Sequence, residues 1–239
     1  MLSTAQRWRL VVSGFIAASP LLIGITPFGF IFGAASVQQG ISLAACMAMS
    51  CFVLAGSSQF LALGLLAVDT PVGVIIGATF LVNMRHLLYS AWLAPYFSHL
   101  SKTWKVILSY GLVDAVFALA SQYIPNNPPE NRPWFILGTI IAMWSCWMAT
   151  SLGGYLVGTQ FPILFEMGLE IAMPITFISM VVASLKDRTT VAAACSAAVA
   201  AYFTHHFPYQ LGLLASTTVG IAVGYFLETR KCQQPGATA

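Results

Sequence analysis

Arg85 stands near the middle of an apolar run, residues 72–94, within the string NMRHLLY at 83–89. An arginine at bilayer depth costs at least about 2.5–3.5 kcal/mol on insertion scales, so it faces protein or a water-filled cavity. Its guanidinium can bind a carboxylate through two parallel hydrogen bonds. Arg85 therefore indicates a polar path through a membrane and a binding site for a carboxylate. The alternative is a permanent structural pair with a buried acid, for which Asp114 is the candidate.

Three further polar residues, Asn83, His86 and Tyr89, surround Arg85. Tyr89 follows Arg85 by four residues, so a helix places both on one face, with His86 about 100° further round. These side chains cannot all reach lipid without a large cost, so this part of the helix must be mostly enclosed. His86 can take up and release protons near neutral pH and is a candidate proton relay. A neutral structural histidine is the alternative.

A second polar string, Gly56-Ser57-Ser58-Gln59, lies near the centre of the apolar run 41–68. A glycine followed by three polar residues is a weak point in a helix. If the helix opens there, its free backbone groups can hold the carboxylate and ammonium of an amino acid. The alternative is hydrogen bonding between helices that holds the bundle together. The predicted substrate-binding residues are Gly56, Ser57, Ser58, Gln59, Asn83, Arg85 and Tyr89.

Acids and prolines inside apolar runs complete the candidate site. Asp114 and Glu170 lie in the runs 105–122 and 162–184 and are, with His86, the predicted proton relay. Pro27 and Pro174 free backbone groups that need other partners at membrane depth, and transporter sites are often built at such broken helices. Both prolines are predicted hinges. A kinked structural helix is the alternative at each.

The composition defines the elements that must position these residues. The chain has 239 residues, of which 58% are hydrophobic and 7% charged, whereas soluble domains carry about 25% charged residues. The bilayer must therefore be the main solvent. We predict an all-α integral membrane protein, a polytopic bundle of about seven to eight spans with broken helices, forming one domain over residues 1–239. The apolar segments are 12–37, 41–68, 71–95, 105–122, 133–157, 162–184, 189–206 and 208–227.

Two features of this segment pattern stay open. The halves 12–122 and 133–227 are a candidate inverted repeat of the kind that builds transporter sites. Positively charged residues flank the apolar runs and set the orientation. With eight full spans and both ends cytoplasmic, Lys102 and Lys105 lie outside, against the usual rule. If 41–68 is a re-entrant segment or a broken pair of half-helices, they move inside, but later loops change side.

Several function classes are not supported by the sequence. The net charge is only +3, and no block of Lys and Arg resembles a nucleic-acid patch. Four of the five cysteines lie in apolar runs without metal-ligand spacing, so we predict no metal and no cofactor. The chain carries no nucleotide-binding loop and no recognisable catalytic motif. We therefore do not predict an enzyme.

Four strings together resemble a known family. They are PFGFIFG at 27–33, AGSSQF at 55–60, NMRHLLY at 83–89 and the weaker DAVF at 114–117. In these strings, and in their order and spacing, the chain resembles the AzlC family of branched-chain amino acid permeases, also labelled BrnF or YgaZ. The likeness covers essentially the whole chain, and its sharp motifs lie in the first half.

The resemblance implies a multi-pass subunit of the bacterial inner membrane that exports leucine, isoleucine, valine and similar amino acids such as methionine. It also implies proton coupling and a small AzlD-type membrane partner. In that role, Phe28, Phe60 and Leu87 are predicted to accept the aliphatic side chain. The alternatives are a channel or ion-coupled carrier for another small solute, an intramembrane enzyme using His86 and Asp114, and a purely structural subunit.

Overall fold

The computed structural model describes residues 2–160, 182, 185, 187–207 and 211–232, and the regular secondary structure in these ranges is helical, without strands. The chain forms two compact units. The first comprises Met1–Val68 and Ile75–Leu169, and the second comprises Asp69–Val74 and Glu170–Ala239. The predicted all-α class is confirmed for the described part of the chain. The single domain stays a prediction, and the residues Glu170 and Pro174 lie outside the described ranges.

The helices follow the apolar runs, but three of these runs are interrupted near their centres. The helices are α1 (Thr4–Gln38), α2 (Leu43–Phe52), α3 (Gly56–Leu66), α4 (Val72–Asn83), α5 (Arg85–Phe97), α6 (Lys102–Tyr110), α7 (Asp114–Tyr123), α8 (Arg132–Gln160), α9 (Arg188–Thr204) and α10 (Leu211–Cys232).

Among the described residues, three helical stretches are long and apolar enough to cross a bilayer. They are α1 with 35 residues, α8 with 29, and the run Val72–Phe97 with 26, in which α5 follows α4 almost directly. A membrane span needs about 20 apolar residues. The chain is therefore a membrane protein, whereas the predicted count of seven to eight spans is not confirmed within the described residues.

α1 and α8 pack side by side through glycines. A Cβ at Gly33 would overlap the carbonyl oxygen of Ser151, and one at Gly14 would overlap that of Phe135. The residue numbers of the contact points increase in the same direction along both helices, so the helices run parallel. Gly33 thus allows the close helix approach that small residues give at interfaces between membrane helices. Pro27 lies inside α1, which continues through it without interruption, and its hinge role stays a prediction.

α6 and α7 form a hairpin. The start of α6 and the end of α7 both lie near the start of α8. Trp104 packs edge-on against Trp134 near the start of α8. A Cβ at Gly111, just after α6, would overlap Ile140 further along α8. Tyr123, at the end of α7, stacks on Phe135 with ring centroids 3.7 Å apart. The chain therefore turns back to the end from which it came.

The single span predicted over 105–122 is thus wrong: this run is two short helices. α6 has 9 residues and α7 has 10, which give about 14–15 Å each, half of a hydrocarbon core of about 30 Å. Helical hydrogen bonding stops at Gly111, and Val113 is extended, with φ −100° and ψ 169°. Hydropathy did not reveal this turn because all three linking residues are apolar or small.

α2 and α3 form a second hairpin, which enters from the opposite end of α8. The Tyr155 hydroxyl donates to the carbonyl oxygen of Ile41, just before α2, at 3.0 Å. The interruption predicted at Gly56 is present: α2 ends at Phe52, and Leu54 adopts φ +45° before α3 begins. Met49 of α2 packs against the α3 cluster that contains Leu65. The end of α2 therefore contacts the cluster to which α3 contributes.

α4 and α5 connect the two ends of the first unit. Ile75 and Ala78 of α4 pack with Ala62 and Leu65 of α3. At the other end, Phe97 of α5 joins the core cluster that contains Phe135 and Ile136. This composite helix therefore runs opposite to α1.

One pattern occurs twice in the first unit, in opposite directions. A long helical stretch is followed by a hairpin, first as α1 with α2–α3 and then as α4–α5 with α6–α7. The tips of the hairpins meet, since the Tyr110 hydroxyl donates to the carbonyl oxygen of Cys51. The predicted inverted repeat of 12–122 and 133–227 is not confirmed, and α1 and α8, the first helices of those halves, run parallel.

The second unit contains α9 and α10, packed as an antiparallel pair. A Cβ at Gly212 would overlap the carbonyl of Thr204, and one at Gly220 would lie 3.0 Å from the Cβ of Ala197. Asp187 caps α9 by accepting a hydrogen bond from the Thr190 N–H at 2.7 Å. This cap satisfies one of the free N–H groups at the helix start.

Candidate functional site

One side chain, that of Arg85, joins the three interrupted runs of the first unit. Its Nη1 lies 2.9 Å from Oδ2 of Asp114, and its Nη2 donates to Oγ of Ser57 at 2.6 Å. Arg85 is the first residue of α5, Asp114 is the first of α7, and Ser57 is the second of α3. The candidate site therefore lies where the interruptions come together.

Tyr89 completes the set of contacts around Asp114. Its hydroxyl donates to Oδ1 of Asp114 at 2.7 Å, so both carboxylate oxygens are engaged. Its ring stacks on Phe117 with centroids 4.4 Å apart and an interplanar angle of 12°. The i,i+4 spacing from Arg85 does place both side chains on one face. Asp114 also stands at the start of a helix, where the helix dipole favours a carboxylate.

The ion pair between Arg85 and Asp114 is accessible rather than sealed. The two side chains are 28% and 36% exposed. An ion pair that is not fully buried contributes little net stability, typically about 0–1 kcal/mol. A charged ligand that reaches the site can therefore compete with the pair at modest cost.

Several buried polar atoms near these residues have no hydrogen-bond partner among the described residues. They include Nε of Arg85, Oδ1 of Asn83 and both amide atoms of Gln59. Gln59 is only 1% exposed. Leaving a buried polar group unpaired costs about 1–3 kcal/mol, and such groups call for a specific explanation, such as a bound molecule or water.

The start of α3 holds the remaining predicted binding residues. The Ser58 hydroxyl donates to the carbonyl oxygen of Ala55 at 2.8 Å, within the interruption itself. Gly56 has Trp147 of α8 beside it, because a Cβ there would lie 2.7 Å from Cη2 of the indole. α3 lacks a side-chain cap, and the N–H groups of Ser58 and Gln59 both donate to the carbonyl oxygen of Ala55 at 3.0 Å.

His86 reaches the cluster through Tyr89. Its Nδ1 lies 3.0 Å from the carbonyl oxygen of Asn83, and its ring meets that of Tyr89 edge-on at 5.8 Å. The structure thus brings together the predicted residues from 56–59, 83–89 and Asp114. Their roles in binding and proton transfer stay predictions.

The predicted apolar wall is only partly assembled. The Phe28 and Phe60 rings pack edge-on at 5.3 Å, and both residues are buried. Leu87, by contrast, is 61% exposed, so it does not belong to this buried group. Phe117 and Trp147 contact the site as well, although neither was among the predicted site residues. The DAVF string offered a signal for Phe117, whereas Trp147 lies in a generic apolar stretch.

These features define a membrane protein with a charged site between interrupted helices. Residues 20–161 match the family model described as AzlC protein. The match covers more than half of the chain, including all of the interrupted runs. The chain belongs to the AzlC family.

Curated relatives agree with this assignment. The "Inner membrane protein YgaZ" of Escherichia coli is 28% identical over 209 residues, which cover 84% of each chain. An "Uncharacterized membrane protein" of Helicobacter pylori is 32% identical over 71% of this chain and 73% of its own. The "Branched-chain amino acid transport protein AzlC" of Bacillus subtilis is 27% identical over 73% of this chain and 67% of its own. No solved structure matches the chain significantly.

Proposed function

We propose that the protein is a secondary transporter subunit that exports branched-chain amino acids, namely leucine, isoleucine and valine, with methionine as a further substrate, across the bacterial inner membrane. The name of the Bacillus subtilis relative supports the substrate class, and that of the Escherichia coli relative supports the location. The observation that carries the proposal is the accessible ion pair of Arg85 and Asp114 between interrupted helices.

The charges of this pair complement those of an amino acid. Near neutral pH, an α-amino acid is a zwitterion with a carboxylate and an ammonium group. The substrate carboxylate can replace that of Asp114 at the guanidinium of Arg85. The substrate ammonium can then form an ion pair with the Asp114 carboxylate. Inserting the substrate then leaves the net charge of the site unchanged, and no buried charge stays unpaired.

The aliphatic side chain of the substrate needs an apolar surface beside these charges. Phe60 lies in the same helix as Ser57, which contacts Arg85. Its ring packs with those of Phe28 at 5.3 Å and Phe32 at 5.7 Å. Each CH₂ group removed from water contributes about 0.8 kcal/mol, so this aromatic group favours leucine over small polar amino acids.

Proton coupling is proposed to use Asp114. Once the substrate ammonium has left, the Asp114 carboxylate can accept a proton before it pairs with Arg85 again, and Tyr89 is already hydrogen-bonded to it at 2.7 Å. His86 contacts the Tyr89 ring and is the proposed next acceptor, since histidine titrates near neutral pH. The predicted role of Glu170 falls outside the described residues.

Charges at the ends of the first unit support its orientation. Arg7 lies over the Trp134 ring at 5.3 Å, and Lys102 begins α6, whose Trp104 packs on the same ring. Arg132 is at the start of α8. Positively charged flanking residues favour the cytoplasmic side, so we place this end in the cytoplasm. The α6–α7 hairpin then enters from the cytoplasm and the α2–α3 hairpin from outside.

We also propose a small AzlD-type membrane subunit as the partner, from the family resemblance. Large apolar side chains of α4 and α5 are exposed, among them Ile76, Phe80 and Leu88. These side chains need lipid or another membrane protein beside them. Co-purification of the two subunits after joint expression tests the partner, and separate migration would exclude a stable complex.

Efflux of labelled L-leucine or L-valine from preloaded cells tests the central proposal. Wild type is expected to release the label, and Arg85→Ala and Asp114→Asn are expected to lose most of this efflux at equal expression. Arg9→Gln serves as the control, because Arg9 is exposed and lies outside the site. Unchanged efflux in both site variants would remove these roles.

The rival functions are separated in proteoliposomes. A channel or carrier for another solute would move a different labelled compound faster than leucine. A proton-coupled exporter is expected to respond to an imposed pH gradient, with Asp114→Asn abolishing that response. Chemical conversion of the substrate by purified protein, without vectorial movement, would instead indicate an enzyme.

A further inference from the structure

The start of α3 is surrounded by hydrogen-bond donors that have no partner in the described part of the chain. Three are side-chain groups: Nε of Arg85, Nε2 of Gln59 and Nε1 of Trp147. The N–H groups of Ser58 and Gln59 both donate to the carbonyl oxygen of Ala55 at 3.0 Å. Those of Gly56 and Ser57 lack an acceptor within the helix, and α3 has no side-chain cap. A group of unpaired donors at the positive end of a helix is suited to bind an anion.

Gly56 and Ser57 are the contact points of the Trp147 indole and the Arg85 guanidinium on the first turn of α3. Ser57 accepts a hydrogen bond from Nη2 of Arg85 at 2.6 Å. A Cβ at Gly56 would lie 2.7 Å from Cη2 of Trp147 and 3.3 Å from its Cζ2. The Trp147 indole therefore packs directly against the start of α3. Arg85 and Trp147 thus flank the first turn of this helix.

The indole of Trp147 is held in place by aromatic packing. It stacks on Phe32 with ring centroids 6.0 Å apart and an interplanar angle of 27°. Phe32 in turn meets Phe60, one residue after Gln59, at 5.7 Å. Trp147 is 9% exposed and Gln59 is 1% exposed. Buried tryptophan N–H groups usually have a hydrogen-bond partner, so an apolar packing role alone leaves this donor unexplained.

We infer that Trp147 is a substrate-binding residue whose Nε1–H, together with Nε2 of Gln59, donates to the carboxylate of the transported amino acid. This inference rests on the proposed function. The carboxylate lies at the start of α3 with Arg85 on its other side. The ammonium then points to Asp114 and to Oδ1 of Asn83, an acceptor that has no partner among the described residues.

Trp147→Phe is the decisive variant, because it removes the N–H group and keeps an aromatic ring for stacking on Phe32. A hydrogen bond to a charged group is strong enough for its loss to weaken binding by about tenfold. We expect the apparent affinity for L-leucine to fall by about this factor in Trp147→Phe and in Gln59→Met. Affinity is measured with radiolabelled L-leucine on purified protein. Trp134→Phe is the matched control, about 20 Å away along the same helix.

A second ligand separates a carboxylate contact from a change of pocket shape. Isoamylamine is leucine without its carboxylate, and its ability to displace labelled leucine is measured for each variant. We expect Trp147→Phe to weaken leucine binding and to leave isoamylamine binding unchanged. Equal weakening of both ligands, or leucine affinity within twofold of wild type, would overturn the inference. Failure of the wild type to bind leucine would instead refute the proposed function.

Discussion

Trp104, near the start of α6, packs edge-on against Trp134, near the start of α8, with ring centroids 4.8 Å apart. The guanidinium of Arg7 lies over the same Trp134 ring at 5.3 Å. α6 therefore begins at the end of the unit where α1 and α8 begin. Within the first unit, Lys102 and Lys105 therefore share an end with the positively charged start of α1, whereas eight full spans would place them on the opposite side.

The first prediction concerns the side of the membrane on which Lys102 lies. In a background without native cysteines, Lys102→Cys is expected to resist a membrane-impermeant maleimide in intact cells and to react in inside-out vesicles. Gln39→Cys, just after α1, is expected to show the opposite pattern, because α1 carries the chain to the other end. Labelling of both positions in intact cells would show that the intervening helices cross an even number of times.

The second prediction separates transport from folding at the ion pair. Arg85→Gln leaves the Asp114 carboxylate without its partner at 2.9 Å. Breaking a fully buried pair costs about 3–5 kcal/mol. We expect a smaller loss of about 1–3 kcal/mol here because both groups are partly exposed. Arg85→Gln/Asp114→Asn is expected to recover thermal stability in detergent without recovering leucine efflux. Recovery of both would mean that the pair serves only the structure.

The third prediction concerns the hydroxyl of Tyr89. Tyr89→Phe removes the hydrogen bond to Asp114 and keeps the stacking on Phe117. A hydrogen bond to a charged group contributes about 1.5–3 kcal/mol, so leucine efflux is expected to fall about tenfold or more at equal expression. Tyr123→Phe keeps its stacking on Phe135 and is the matched control. Equal efflux in the two variants would refute a role for the Tyr89 hydroxyl.

The fourth prediction tests the packing of α1 on α8. Gly33→Ala places a methyl group onto the Ser151 carbonyl, whereas Gly24→Ala, in the same helix, places it in open space. Overpacking typically costs about 1–3 kcal/mol, so Gly33→Ala is expected to unfold at a lower temperature in detergent. Gly24→Ala is expected to match or exceed wild type, because alanine favours helix by up to about 1 kcal/mol over glycine. The same melting temperature for both would exclude the close helix contact.

The sequence by itself determined the local features of the site. The low share of charged residues identified a membrane protein, because hydropathy depends only on composition. The i,i+4 spacing placed Arg85 and Tyr89 on one face, and the glycine with its polar neighbours marked the interruption at Gly56. Asp114 was identified as the candidate partner because an arginine at bilayer depth needs an acid.

The tertiary structure alone decided how these elements are arranged. Hydropathy measures apolar content and carries no information on direction, so the run 105–122 read as one span although it turns back after Gly111. The parallel contact of α1 with α8 and the placement of Trp147 against Gly56 join residues far apart in the chain. Such contacts depend on how whole helices pack, and a local pattern in one segment does not contain them.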